Sequence, residues 1–228
     1  MGKTIEKILK NRGHVISGIV DVTNDLNIRD LKKLNTQVAI EFTTPDSAVN
    51  NIRECMDQGI PVISGTTGWM DKFEEVKNYC ELKKGTFFYA SNFSLGVNIF
   101  FKLNQYLAKM MGSVDGYQAE ISETHHTQKL DKPSGTAITI AQGIIEENNE
   151  YNSWVSDEKG TDNTLPIWSF REPEVPGSHS VSYKSVLDEI VIRHTAKTRE
   201  GFALGAVLIA EWISGKKGFL TMDDYLKF

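Results

Sequence analysis

VAIEFTTPDSAVNNIRECMDQGIPVISGTTG, from Val38 to Gly68, reads as strand, helix, strand. The run VAIEF is short, apolar and of the type that a parallel sheet buries on both faces. Thr44 follows as an N-cap with Pro45 at the first helical position, and Gly59 lies just past the predicted helix end. PVISG is then the next strand and runs into Gly65-Thr66-Thr67. Two strands joined through a helix point to a parallel pair and an α/β sheet.

The alternation continues on either side. Gly2 to Arg12 predicts a helix with Ile5, Ile8 and Leu9 on one face and Gly13 as its stop. HVISGIVD, ending at Asp21, predicts a strand, Asp71 to Leu82 a helix, and GTFFYA another strand. The second half changes character. Leu95 to Met111 reads as a long apolar helix, YQAEISET as a strand, and the residues after Ser134 as a helix. Glu146 to Thr164 is polar and reads as loop-rich, and WSFR, HSVSY and EIVIRH alternate as antiparallel strands do. A final helix, Gly201 to Ser214, returns the chain to its first domain. The predicted architecture is a Rossmann-like parallel sheet built from residues 1–92 and 199–228, with a mixed α+β domain, 93–198, inserted.

At 228 residues there is room for two modest cores. Lys plus Arg number 25 against 30 acids, a net charge of −5 with no basic cluster, which argues against a nucleic-acid partner. No apolar run approaches the roughly 20 residues of a membrane span. Cys55 and Cys80 are the only cysteines, which suits a reducing cytoplasm better than a disulfide scaffold. A soluble cytoplasmic protein is the expectation.

The densest chemistry lies in ETHHTQKLDKPSGTA, Glu123 to Ala137. His125 and His126 can change charge near neutral pH, and Lys129 can hold an anion or release a proton. Ser134, Gly135 and Thr136 open an apolar helix, where free backbone N–H groups favour a carboxylate or phosphate. Taken singly, the histidines are also compatible with a plain loop, and PSGT with an ordinary N-cap at Ser134. A metal site is not expected: adjacent histidines point to opposite sides of an extended chain, and both cysteines are far upstream. The combination points to an enzyme acting on a small acidic molecule.

The same run closely resembles the signature of the 4-hydroxy-tetrahydrodipicolinate reductase (dihydrodipicolinate reductase) family of lysine and diaminopimelate biosynthesis. EFTTP at Glu41 to Pro45, SGTTG at Ser64 to Gly68, ASNFSLGVN at Ala90 to Asn98 and RHTAKTREGFALGA at Arg193 to Ala206 resemble further family blocks in order. The resemblance implies reduction of a conjugated imine by hydride from NADH or NADPH. It implies His125 as proton donor, Lys129 as a second donor and charge stabiliser, and His126, Ser134, Gly135 and Thr136 as contacts to a small dicarboxylate substrate. Asp131 reads either as an orienting residue or as an exposed acid ahead of the helix, and His194 and Arg199 as domain-junction residues or as core and surface. A homotetramer is implied as well.

On the cofactor side the resemblance implies contacts from Met1, Gly2, Asp21, Gly65, Thr66, Thr67, Ala90, Ser91, Asn92 and Phe93. An acid at the end of the second Rossmann strand bonds the adenine ribose and repels a 2′-phosphate, so Asp21 favours NADH; a turn aspartate before Thr23-Asn24 is an equal reading. Family members open with a strand and a glycine-rich turn, whereas this sequence starts at that turn's tail, Met1-Gly2, directly on the helix. Weak cofactor binding by the chain as written is therefore expected, and a cofactor-blind relative or a different two-domain dehydrogenase are the rival readings. Pro173 stands where the family has glycine, between Arg171 and Gly177, and a proline φ near −65° cannot replace a positive one.

Overall fold

A computed structural model describes residues 1–228. In chain order the first elements are α1 (Gly2–Asn11), β1 (Ala39–Glu41), α2 (Pro45–Asp57), β2 (Val62–Ser64), α3 (Phe73–Leu82) and β3 (Thr86–Tyr89). Next come α4 (Leu95–Met111), β4 (Gln118–His125), α5 (Gly135–Glu147), β5 (Ser153–Ser156), β6 (Thr164–Arg171), β7 (Ser178–Lys184) and β8 (Glu189–Thr195). The chain closes with α6 (Glu200–Trp212), β9 (Gly218–Leu220) and α7 (Met222–Leu226). It divides into two units, Met1–Leu95 with Glu200–Phe228, and Gly96–Arg199.

The first unit is a four-stranded parallel sheet in the order β1-β2-β3-β9. Successive strand residues point to opposite faces. Val62 and Phe87 therefore join a core with Ala48, Ile52 and Val76 of α2 and α3, while Ile63 and Phe88 join Ile5, Ala206 and Ile209 of α1 and α6. Helices cover both faces, as unbroken apolar strands require. Thr44 caps α2 with Pro45 behind it, and Gly59 takes φ +70 just past the helix end, where only glycine is unstrained. Gly205 lets α6 approach closely: a Cβ there would lie 1.8 Å from the Phe93 carbonyl oxygen.

HVISGIVD forms no strand. Residues 14–21 make no ladder, and Val15 and Ile19 are exposed. A strand is held by a neighbour's N–H and C=O groups, and β1, the sheet's edge, is paired only with β2. The three-residue β9, absent from the sequence reading, fills the opposite edge beside β3.

The second unit is a mixed sheet, β5-β6-β4-β7-β8, packed against α4 and α5. WSFR belongs to β6, which runs parallel to both β4 and β5, so the antiparallel expectation holds only for β7 and β8. The polar stretch after Glu146 is not all loop, since β5 forms the sheet edge within it. In the loop carrying Pro173, the positive φ values fall on Glu174 (+61) and on Gly177 (+156), so proline sits in a turn that asks nothing left-handed of it.

Candidate active site

β4 decides where the chemistry lies. Ala119, Ile121, Glu123 and His125 alternate onto its buried face, so the apolar row of the core continues directly into a carboxylate and an imidazole. Sheet register then lines up Ser169 of β6, Glu123 of β4, His179 of β7 and His194 of β8 in one row across four strands. Glu123 is fully buried. Its Oε1 accepts the Ser134 N–H at 3.1 Å and faces the Arg171 guanidinium at 3.4 Å. Its Oε2 lies 3.2 Å from His125 Nδ1, off the line of a hydrogen bond, and 3.7 Å from His179 Nε2.

Burial pushes the Glu123 carboxyl up, but the contacts with His125 and Ser134 outweigh it and hold it at about 2. The same burial, aided by the neighbouring His125, pushes His179 down to about 3, so it is neutral at physiological pH. Its Nε2 sits 3.2 Å from Ser134 Oγ. Arg171 also gathers the loop that follows β4: its guanidinium donates to the carbonyl oxygens of Lys129 at 3.3 Å and Asp131 at 2.7 Å. Lys129 Nζ pairs with both carboxylate oxygens of Asp131 at 2.8 Å, which makes Asp131 a partner of the lysine and not a bystander.

Ser134 is the N-cap of α5, its hydroxyl accepting from Ala137 N at 3.2 Å. Its own N–H is taken by Glu123, so the open end of the helix reduces to Gly135 and Thr136. A Cβ at Gly135 would meet nothing within 4 Å, which leaves space for a ligand over that turn. His126 is half-buried, and Arg199 is exposed. His194 stacks at 6.2 Å on the Phe100 ring, and burial lowers its pKa. Glu123, His125 and His179 also offer three ligand atoms within 4.8 Å, but Arg171 already places a positive charge on that carboxylate.

In the first unit Gly65 to Thr67 and Ala90 to Phe93 follow the C-terminal ends of the parallel strands β2 and β3, where ligands of open α/β sheets bind, whereas Asp21 follows no strand and Met1 and Gly2 open α1. Thr67 and Ser91 are exposed and Gly65 half-buried, while Ala90 is buried after β3. The Phe93 side chain is core, 5.5 Å from Phe42 and 5.9 Å from Phe88, so its ring is not available to a ligand. Asn92 turns its side-chain oxygen onto Ser94 N. Met1, exposed, is the N-cap of α1, and Gly2 has open space around it. Asp21 is exposed, its Oδ1 accepting the Thr23 hydroxyl and N–H, which lowers its pKa; Lys3 adds a smaller pull. Buried Glu41 holds these strand ends together, accepting from Thr43, Ser64 and Thr66 hydroxyls at 2.5, 2.5 and 2.8 Å. Thr66 is thereby a brace between strands, its hydroxyl also accepting Thr43 N.

The sequence reading assigned no role to Glu123, Arg171, His179 or Glu41. Parity along β4 carried a signal for the first: a carboxylate on the side shared with Ala119 and Ile121 has to be buried and partnered. The others depend on register.

Comparison with known proteins shows the family. "Dihydrodipicolinate reductase, N-terminus" matches residues 1–93 and "Dihydrodipicolinate reductase, C-terminus" residues 96–226. The chain belongs to the dihydrodipicolinate reductase family. It is thus an oxidoreductase of lysine and diaminopimelate biosynthesis. The chain is 50% identical over 226 residues to the 4-hydroxy-tetrahydrodipicolinate reductase of Christiangramia forsetii, covering 99% of this chain and 93% of that one. To the enzyme of the same name from Archaeoglobus fulgidus it is 39% identical, covering 87% and 79%. In fold it is similar to dipicolinate-bound dihydrodipicolinate reductase from Paenisporosarcina sp. TG-14, with a TM-score of 0.80, 22% identity and coverage of 99% and 94%.

Proposed function

We propose that the chain reduces 4-hydroxy-tetrahydrodipicolinate to tetrahydrodipicolinate with hydride from NAD(P)H. The observation that carries this reading is the folding of Glu123–Ala137 into one corner, where the end of β4, the Lys129 loop and the open turn of α5 meet around Glu123. The exposed turns after β2 and β3, the braced strand ends and Asp21 fit a dinucleotide. Bound NAD(P)H supplies the hydride. Asp21, Gly65, Thr67 and the backbone of Ala90 to Phe93 would hold it, with Met1 and Gly2 on the pyrophosphate side at the start of α1. Asp21 favours NADH.

On the substrate side, the Gly135 and Thr136 N–H groups and the Thr136 hydroxyl grip a carboxylate at the positive end of α5, and His126 is a further contact to the dicarboxylate. Lys129, held by Asp131, stabilises negative charge that develops as the ring is reduced. His125 then gives its proton to the reduced ring. Turnover of His125→Ala should fall by about 10²–10⁴, the worth of a positioned acid, with NADH affinity intact. Full steady-state activity of that variant would sink the assignment. A cytoplasmic homotetramer is the assembly we infer, supported by the exposed stripe Ile99, Leu103, Tyr106 and Met110 along α4. Sedimentation of a monomer would refute it.

A further inference from the structure

We propose that Glu123 and Gly177 are positioning residues that make Nε2 the proton-donating nitrogen of His125. The inference rests on the reading of His125 as the acid. Nδ1 is the buried nitrogen, 3.2 Å from Glu123 Oε2. On the ring's other side stands Gly177: a Cβ there would come within 3.0 Å of Nε2 and 3.2 Å of Cδ2, and φ +156 itself disfavours a side chain. A carboxylate thus braces one nitrogen, and a missing side chain keeps the other uncovered.

Every neighbouring charge supports that division. Oε1 of Glu123 is occupied by Arg171 of β6 and by the Ser134 N–H of α5, which leaves Oε2 for an imidazole. Two imidazoles compete for it, and His179 of β7 is the farther at 3.7 Å, its ring 5.0 Å from His125 and edge-on. Being held neutral, His179 draws little on the carboxylate's charge. Lys129 of the following loop is matched by Asp131, and His194 of β8 lies one strand beyond His179. When Nε2–H gives its proton to a ring carbon of the substrate, the C–H bond forms as the N–H bond breaks. The imidazole is left neutral with its remaining proton on Nδ1, facing Oε2, and solvent restores the Nε2 proton. A carboxylate fixing the tautomer of a catalytic histidine is a general device.

Nitrogen-15 NMR of the full unmodified chain tests the tautomer without any substitution. The neutral His125 ring should carry its proton on Nδ1, and a neutral ring protonated on Nε2 would overturn the proposal. In Glu123→Gln the neutral His125 ring should lose its preference for the Nδ1 proton, because the carboxylate facing that nitrogen is gone, and kcat should fall by about 10–100-fold. NADH affinity by fluorescence should be unchanged. An unchanged tautomer ratio in Glu123→Gln defeats the coupling, whatever happens to stability. Gly177→Ala should lower kcat without changing that ratio; full turnover there removes Gly177 from the proposal. If His125→Ala kept full activity while the His125 tautomer still responded to Glu123→Gln, the acid reading would fail and the coupling would stand.

Discussion

Acid should unfold the second unit through His179. That imidazole has an ordinary value of 6.5 and is pushed down to about 3 by burial and by the neighbouring His125. The unfolded chain therefore binds a proton that the folded one refuses. Stability is intact above 6.5 and is lost as pH falls towards 3. Between pH 7 and pH 5 the linkage integral for one such group is about 2 kcal/mol, on the order of a seventh to two-fifths of a typical domain's total. Glu123, depressed to about 2 from 4.5, loses its contribution only below 4.5, so this window isolates the histidines. His194, lowered by burial, acts in the same direction. Equilibrium urea unfolding at the two pH values, followed by Trp154 and Trp168 fluorescence, measures the difference. His179→Gln keeps a donor or acceptor near Ser134 Oγ and removes the titration. Its own stability is immaterial; its dependence on pH is the readout. A wild-type free energy that is flat from pH 7 to pH 5, or a slope unchanged in His179→Gln, refutes the reasoning.

Three further perturbations follow from the site and its supports. Thr136→Val should weaken binding of a planar pyridine dicarboxylate by about 1–3 kcal/mol by deleting a hydroxyl donor to a charged group, and unchanged inhibition would misplace the cradle. The unmodified enzyme should show a higher kcat/KM with NADH than with NADPH at low salt, and Asp21→Ser should narrow that ratio; better use of NADPH from the outset would defeat the role given to Asp21. Gly205→Ala should drive α6 off the Phe93 carbonyl, costing about 1–3 kcal/mol in urea unfolding and weakening NADH fluorescence binding, because the Phe93 backbone moves with it. Wild-type stability there would mean α6 yields more easily than its contact suggests.

Much of the plan was legible because the signals are local. Thr44-Pro45, Gly59 and Ser134 mark helix ends by their own chemistry, and the alternation from Val38 to Tyr89 carries its parallel sheet with it. What failed was non-local. HVISGIVD has the composition of a strand, yet composition cannot supply a neighbour to pair with. WSFR alternates equally well in either direction, so β6 betrays its parallel sense only through its partners. His125 stood out as a residue type in a motif. The carboxylate beneath it was signalled by parity along β4, but its partners became visible only when β4, β6 and β7 were set in register.

The period-two row on β4 also determines what kinds of genetic change this chain can absorb. A substitution at Ser122 or Thr124 touches the other face and leaves the row standing. One inserted residue between Ala119 and Glu123 does something different: it inverts the parity of everything that follows. Glu123 and His125 would turn away from His179, Arg171 and Ser134 together, and Ser122 and Thr124 would be driven into their places. Two inserted residues would restore the parity but slide the carboxylate past its partners by about 7 Å. Length variation in this family member therefore has to accumulate in segments such as Asp157 to Asn163 or Glu172 to Pro176, because on β4 a lost or gained codon is read as the loss of a whole site.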